Sequence, residues 1–257
     1  MSRNIRQAVI PMAGKGTRFY PITHVVPKEF LPILNRPLFH YILDQLQSAG
    51  VEEIICVIAP GRDLATPYVE KIERRMTIIT VLQEEQKGLG HAIACAQGAI
   101  TDDYFLVVLP DVLIEAAPSV PAQLCRAFQA IETAGLIATR QEPQEKLVHY
   151  GVIAPGKRDG ALMQVEDLIE KPRPGRAPSR YVAVGQYILP AKIFHYLREI
   201  APGANGEIQL TDALCCVARD DGLSALEYEE HAMFDAGQLP GWLAANIYYG
   251  RREGFLP

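Results

Sequence analysis

Ala13-Gly14-Lys15-Gly16-Thr17-Arg18 follows an apolar segment, Gln7 to Ala13, and is the first stretch where residue types and spacing suggest chemistry. Two glycines let the backbone approach a ligand closely and aim its N–H groups at phosphate oxygens. A tight turn explains a lone G-x-G equally well. Two familiar phosphate signatures do not fit. No Walker A string occurs, and the dinucleotide fingerprint needs a third glycine where Phe19 stands. Pro21 and Pro27 then lead into Lys28-Glu29-Phe30-Leu31-Pro32, which is too broken for a helix and stiffer than a free loop. Arg18 and Lys28 therefore share the first crossover. Each alone is most simply a solvated surface charge; together, beside a glycine loop, they suit an anion.

These residues need a scaffold. The chain has 257 residues, 49% of them hydrophobic, which fits one large α/β domain. A formal net charge of -5 gives no general attraction for nucleic acid or anionic membrane, so an anionic substrate must be met by a few placed cations. The five cysteines form no C-x-x-C pair, so neither a zinc site nor a disulfide framework is indicated. The N-terminus lacks a signal-peptide core and no apolar run is long enough to span a bilayer, so a soluble, cytoplasmic protein is expected.

The first half alternates expected strands (Gln7–Ala13, Glu53–Ala59, Thr77–Gln83, Tyr104–Leu109) with expected helices (Leu38–Ala49, Leu64–Arg75, Ala92–Gln97). Near-continuous apolar strands between helices predict a parallel sheet covered on both faces, with its ligand site beyond the strands' carboxyl ends. The second half is more β-rich. Strands are expected over Leu136–Thr139, Gly151–Ala154, Leu162–Ile169, Tyr181–Leu189 and Ser224–Glu229. Helices are expected over Pro121–Ala134 (closed by Gly135), Ala191–Ile200, Ile208–Arg219 and Leu239–Tyr249. Val148–Pro155 and Arg173–Arg180 read as loop-rich excursions. With no linker visible, the two halves are expected to share one sheet.

Ala13-Gly14-Lys15-Gly16-Thr17-Arg18 together with Pro27-Lys28-Glu29-Phe30-Leu31-Pro32 resembles the signature of the sugar-nucleotide pyrophosphorylases, in particular the bacterial UTP–glucose-1-phosphate uridylyltransferases. Further blocks stand in that family's order over nearly the whole chain: Lys87-Gly88-Leu89-Gly90-His91-Ala92, Leu109-Pro110-Asp111-Val112, Glu170-Lys171-Pro172, Val184-Gly185-Gln186-Tyr187, Gly206 to Asp212, and Phe234-Asp235-Ala236-Gly237. The resemblance implies a Rossmann-like nucleotidyltransferase fold with a mixed, mostly parallel sheet flanked by helices. It implies a single domain over 1–257, with a nucleotide-binding half of about 1–112 and a β-rich sugar-phosphate half of about 113–257.

The implied reaction joins UTP and glucose 1-phosphate into UDP-glucose and pyrophosphate. A phosphate monoester, with a second pKa of about 6, is largely dianionic at neutral pH and needs no general base. The obstacle is bringing two polyanions together, so catalysis should be positioning plus charge neutralisation. Asp111 ends a buried strand and Asp235 precedes Ala-Gly; the plain structural reading is a turn or helix cap for Asp111 and a turn residue for Asp235. Mg²⁺ favours one or two carboxylates with phosphate oxygens and waters, and the family's metal-binding aspartates fall at these positions. By resemblance Ala13, Gly14, Gly16, Gln83 and Gly88 serve the nucleotide, and Arg18 and Lys28 the triphosphate. Lys171 serves the sugar phosphate, Glu170 and Glu207 the sugar hydroxyls, and Gly185 the close approach of the sugar ring. Bland readings remain for Glu170-Lys171, an exposed charged pair, and for Gly185, a bulge. His91 reads as structural, Lys87 is left open, and Thr211 and Asp212 fall to helix packing.

Departures from the family's pattern are His24 in place of a lysine, Gln186 in place of a common arginine, a short 62–80 stretch and a short tail after Tyr249. The first two bear on substrate preference. The last two bear on surfaces between subunits, where a homo-oligomer, dimer or tetramer, is expected. The same chemistry on dTTP or another hexose 1-phosphate is the near alternative. A non-catalytic nucleotide-sugar-binding paralogue is the alternative of another class.

Overall fold

The computed structural model describes residues 3–72, 76–203 and 206–257. In chain order the strands are β1 (Gln7–Pro11), β2 (Pro32–Ile33), β3 (Arg36–Pro37), β4 (Glu53–Ile58), β5 (Thr77–Leu82), β6 (Tyr104–Val108), β7 (Val112–Glu115), β8 (Gly135–Gln141), β9 (Gly151–Asp159), β10 (Leu162–Glu170), β11 (Tyr181–Pro190), β12 (Leu223–Glu227) and β13 (Ala232–Asp235). The helices are α1 (Leu38–Ser48), α2 (Ala65–Lys71), α3 (Leu89–Cys95), α4 (Val120–Ala130), α5 (Ile193–Glu199), α6 (Leu210–Asp220) and α7 (Leu239–Arg252).

One nine-stranded sheet in the order β5-β4-β1-β6-β11-β8-β12-β10-β9 runs through both halves. β5, β4, β1 and β6 are mutually parallel, and β8 is parallel to β12; β11 and β10 run against their neighbours. The sheet is thus mostly parallel in direction but interleaved with antiparallel pairs in its second half. Alternation along each strand divides the core. Ala8 and Ile10, Ile54 and Cys56, and Leu106 and Val108 face α1, α2 and α4. Val9, Ile55, Phe105 and Val107 face α3, α5 and α6. This two-sided burial explains the near-continuous apolar strands.

Several expected boundaries move. The α4 helix ends at Ala130 rather than Ala134, because Ile131 turns extended and the Thr133 hydroxyl donates to the Gly135 and Gly222 carbonyls; Gly135 opens β8 instead of closing the helix. Val148–Pro155 is not a loop excursion, since β9 begins at Gly151 and pairs with β10. The helix expected from Ala92 starts at Leu89 and gives way to a 3-10 turn over Ala96–Ala99. The α2 helix stops at Lys71, and the end of that expectation, 73–75, lies outside the described residues. The strand expected to Ala13 stops at Pro11, and α7 runs on to Arg252. Two short antiparallel ladders were not anticipated, β2 with β3 and β7 with β13. The second of these shapes the site.

Candidate functional site

The chain leaves the sheet at the carboxyl end of β1, where the Met12 N–H donates to the Val57 carbonyl at 2.7 Å. The prolyl crossover folds into three single 3-10 turns, Thr17–Phe19, Ile22–His24 and Lys28–Phe30. Gly16 sits at φ +65°, a conformation that strains any side chain, and a Cβ would crowd the Thr23 methyl at 3.1 Å. The Thr23 hydroxyl donates to the Gly16 carbonyl at 2.7 Å, and the Arg62 guanidinium donates to the Thr23 carbonyl at 3.0 Å. Gly16 therefore shapes the loop.

Two clefts open along this edge. The first, about 490 Å³, is lined by Ala13, Gly14, Lys28, Gln83 and Gly88. The second, about 300 Å³, is lined by Arg18, Glu170, Lys171, Gly185 and Asp235. Asp111 and Glu207 line both. Every residue anticipated for the site except Gly16 thus lines a cleft, and two of them form the shared wall. A larger hollow of about 1080 Å³ lies at the opposite edge of the sheet. Its cations are spent internally: Arg6 pairs with Asp102, Lys192 with Asp221, and Arg3 donates to the carbonyls of Phe128, Ile131 and Thr133.

The β7–β13 ladder brings the aspartates together. Asp111 immediately precedes Val112, whose partner across the ladder is Asp235. Gly237 touches both carboxylates. Its N–H donates to Asp235 Oδ1 at 3.2 Å, and a Cβ on it would fall 2.7 Å from Asp111 Oδ2. Gln238 also donates to the Asp235 carboxylate. The α7 helix locks this corner onto the β2–β3 hairpin through Trp242 Nε1 to the Pro32 carbonyl (2.9 Å) and the Leu34 N–H to Asn246 Oδ1 (2.9 Å).

Lys28 is paired with Asp111 and lies 4.0 Å from Glu29 Oε1. Burial alone would push the Lys28 ammonium down, but Asp111 and Glu29 together outweigh it and hold the group above the ordinary lysine value. Burial likewise would lift the Asp111 carboxyl, yet the charges of Lys28 and Arg18 and its hydrogen bonds keep it below the ordinary range. Asp111 is thus an ionised carboxylate paired with Lys28, with Asp235 on the other side of Gly237. Among the described residues no group of three or more His, Cys, Asp and Glu side chains could hold a metal. A metal here would draw its remaining ligands from phosphate oxygens and water. Hard oxygen donors in that number suit Mg²⁺.

At the first cleft, Gly88 has φ +91°, and a Cβ there would meet Glu207 Cβ at 2.9 Å. The Ile208 N–H donates to the Lys87 carbonyl (2.8 Å) and the Gly90 N–H to the Ile208 carbonyl (2.9 Å), which clips Glu207 into the cleft wall. The Lys87 side chain pairs with Glu85 at 2.6 Å. At the second cleft, Gly185 has φ +80° where the β11–β8 register shifts, and a Cβ would fall 2.7 Å from Leu109. It is both a bulge and a cleft-lining residue. Lys171 adopts φ +43° and reaches Glu170 Oε1 at 3.1 Å, with its side chain 59% exposed.

Sequence reasoning passed over Thr211, whose hydroxyl donates to Glu170 Oε2 at 2.5 Å, and Gln86, whose amide donates to the Ala13 carbonyl at 2.5 Å. Thr211 stood inside a family block, the one signal that could have flagged it. His24 stacks on Tyr20 at 4.1 Å, and Gln186 is buried near Gln45. Neither lines either cleft.

A fold with a glycine loop at the sheet's carboxyl edge and two clefts divided by an aspartate defines the class, and the chain belongs to the nucleotidyl transferase family, whose model matches residues 7–251. Within that class it is 36% identical to UTP–glucose-1-phosphate uridylyltransferase 2 of Staphylococcus saprophyticus, over 98% of this chain and 94% of that protein. It is 33% identical to UTP–glucose-1-phosphate uridylyltransferase of Bacillus subtilis, over 98% and 93% respectively. Among solved structures, a UDP-glucose pyrophosphorylase complexed with UDP-glucose superposes with a TM-score of 0.91 at 32% identity, covering 96% of this chain and 99% of that one. UTP-bound UGPase from Acinetobacter baumannii gives 0.83 at 29% identity, covering 96% and 93%.

Proposed function

We propose that the chain transfers UMP from UTP to glucose 1-phosphate, giving UDP-glucose and pyrophosphate. The observation that carries this reading is the pair of clefts meeting at Asp111, one beside the glycine loop and one beside Lys171 and Glu170. Ala13, Gly14, Gln83 and Gly88 hold the uracil end, with Gly16 setting the loop's bend. Lys171 holds the sugar phosphate, Glu170 (steadied by Thr211) and Glu207 accept from sugar hydroxyls, and Gly185 gives the ring room. A phosphate oxygen of glucose 1-phosphate attacks the α-phosphorus, a new P–O bond forms, and pyrophosphate leaves with the electron pair of the broken bond. Lys28, held by its ion pair with Asp111 before substrate arrives, and Arg18 offset the charge of the triphosphate and its leaving group. Asp111 and Asp235 would hold Mg²⁺, which supplies further charge neutralisation when bound. Functionally, 1–112 serves the nucleotide and 113–257 the sugar phosphate, with Arg18 and Glu207 reaching across.

Pyrophosphate release across a panel of nucleoside triphosphates and hexose 1-phosphates tests the reading. UTP with glucose 1-phosphate should give the highest kcat/KM, lost with a chelator and restored by Mg²⁺. A better rate with dTTP or another sugar would keep the chemistry and replace the substrates. Stoichiometric nucleotide-sugar binding without turnover would make the chain a non-catalytic binder.

Among the described residues no helix is long and apolar enough to cross a membrane, and the five cysteines are all free, which suits a reducing cytoplasm. Leu239, Leu243 and Ile247 form an exposed i, i+4, i+8 stripe on α7, consistent with a homo-oligomer; light scattering distinguishes monomer, dimer and tetramer.

A further inference from the structure

We propose that His91 is a positioning residue that sets the base preference by locking the side-chain amide of Gln83, so that its oxygen is the atom offered to the base. The inference rests on the reading above that Gln83 faces the nucleobase.

Gln83 follows β5, is 4% exposed and lines the first cleft. Its amide nitrogen lies 3.2 Å from the Gly88 carbonyl and 2.9 Å from His91 Nδ1. A carbonyl oxygen only accepts, so the atom facing Gly88 must be the amide NH₂. That choice settles the roles at the histidine. An NH₂ donates to Nδ1, so Nδ1 is the bare acceptor and the ring carries its proton on Nε2. Both N–H bonds of the amide are then used within the protein. The Gln83 Oε1 accepts no hydrogen bond from the described residues and is the atom left for a ligand.

An acceptor fixed in this way selects by hydrogen-bond polarity. Uracil and thymine present an N3–H donor on the Watson–Crick edge, whereas cytosine presents a bare N3 acceptor there. A freely rotating glutamine could turn its NH₂ toward cytosine at little cost. A locked one must set two acceptors face to face or break its bonds to His91 and Gly88. A buried polar group left facing a like partner is the costly outcome, and this is how polar sites reject close analogues. His91 stands on the first turn of α3, whose backbone is anchored against the 207–209 segment by the Gly90–Ile208 hydrogen bond, part of the same clip that builds the cleft wall.

The test compares kcat/KM for UTP and CTP in the full-length protein and in His91→Leu, His91→Asn and Gln83→Leu. The UTP-to-CTP ratio is read within one preparation, so partial misfolding of a variant does not move it. His91→Leu should lower the ratio about tenfold, the worth of one net hydrogen bond, mainly through the nucleotide KM. The remaining Gly88 bond holds part of the preference. His91→Asn, whose Oδ1 offers an acceptor near the Nδ1 position, should restore most of it. Gln83→Leu should abolish the preference. If Gln83→Leu lowers the ratio and His91→Leu leaves it unchanged, the positioning role is overturned while Gln83 keeps its place at the base. If Gln83→Leu itself leaves the UTP KM and the ratio unchanged, the base does not meet Gln83, and the proposal falls with that reading.

Discussion

Glu29 is the group whose environment most clearly sets a measurable property. It lies on the 3-10 turn Lys28–Phe30 and is fully buried. No other residue hydrogen-bonds either carboxyl oxygen, and the Lys28 ammonium stands 4.0 Å away. Burial raises its pKa from an ordinary 4.5 to about 7, against the pull of Lys28. The folded chain therefore favours the protonated acid. Below pH 4.5 both folded and unfolded states are protonated, and the contribution to stability is fully present. As pH rises from 4.5 to 7 the unfolded chain ionises first and stability is lost; above 7 the loss is complete. At about 1.4 kcal/mol per decade of proton affinity, the gap corresponds to about 3 kcal/mol. Glu29→Gln keeps the shape and cannot ionise. In guanidinium unfolding the variant should gain about 3 kcal/mol relative to the wild type between pH 4.5 and pH 8, roughly 2–4 °C of melting temperature per kcal/mol for a chain of this size. Other titrating groups cancel in the difference. A wild-type-to-variant gap that stays the same within about 0.5 kcal/mol at both pH values would refute a neutral, buried Glu29.

Asp111→Asn should lower kcat about 100-fold or more, with a smaller change in the UDP-glucose Kd; near-normal rates at modest Mg²⁺ would remove Asp111 from the metal site. Lys171→Ala should raise the glucose 1-phosphate KM about tenfold, with little change in melting temperature because the side chain is 59% exposed. An unchanged KM excludes that role. Gly241→Ala should cost at least about tenfold in activity although Gly241 lines neither cleft, because its Cβ would fall 2.0 Å from the Asp235 carbonyl and must push that corner aside. A variant with full activity and an unshifted Asp235 in its crystal structure would contradict this.

The parts of the site that were legible in the sequence depend on local order. Ala13 to Gly16 could be placed because an apolar strand precedes it, and Asp111 because Tyr104 to Leu109 reads as a strand pointing at the same edge. What was not legible depends on contacts far apart in the chain. Nothing in Val112–Glu115 or Ala232–Asp235 announces that these four-residue strands pair, yet that ladder sets Asp235 beside Asp111. Nothing in Gly237 or Gly241 announces that the backbone must pass within a methyl group's width of each aspartate. Glu29 was illegible for another reason: a charged residue in a proline-bounded loop reads as solvated, and only the packing of the Lys28–Phe30 turn in the fold buries it. These hidden features have one consequence in common. The ladder, the glycine notches and the buried acid all constrain where Asp111, Asp235 and Lys28 sit, and a site that works by offsetting charge is sensitive to such placement, since Coulomb energy in a low-dielectric cleft changes steeply over an ångström. Substitutions at Gly237 or Gly241 should therefore mimic loss of the aspartates themselves, whereas changes at His24, which carries charge-capable chemistry but lines no cleft, should not.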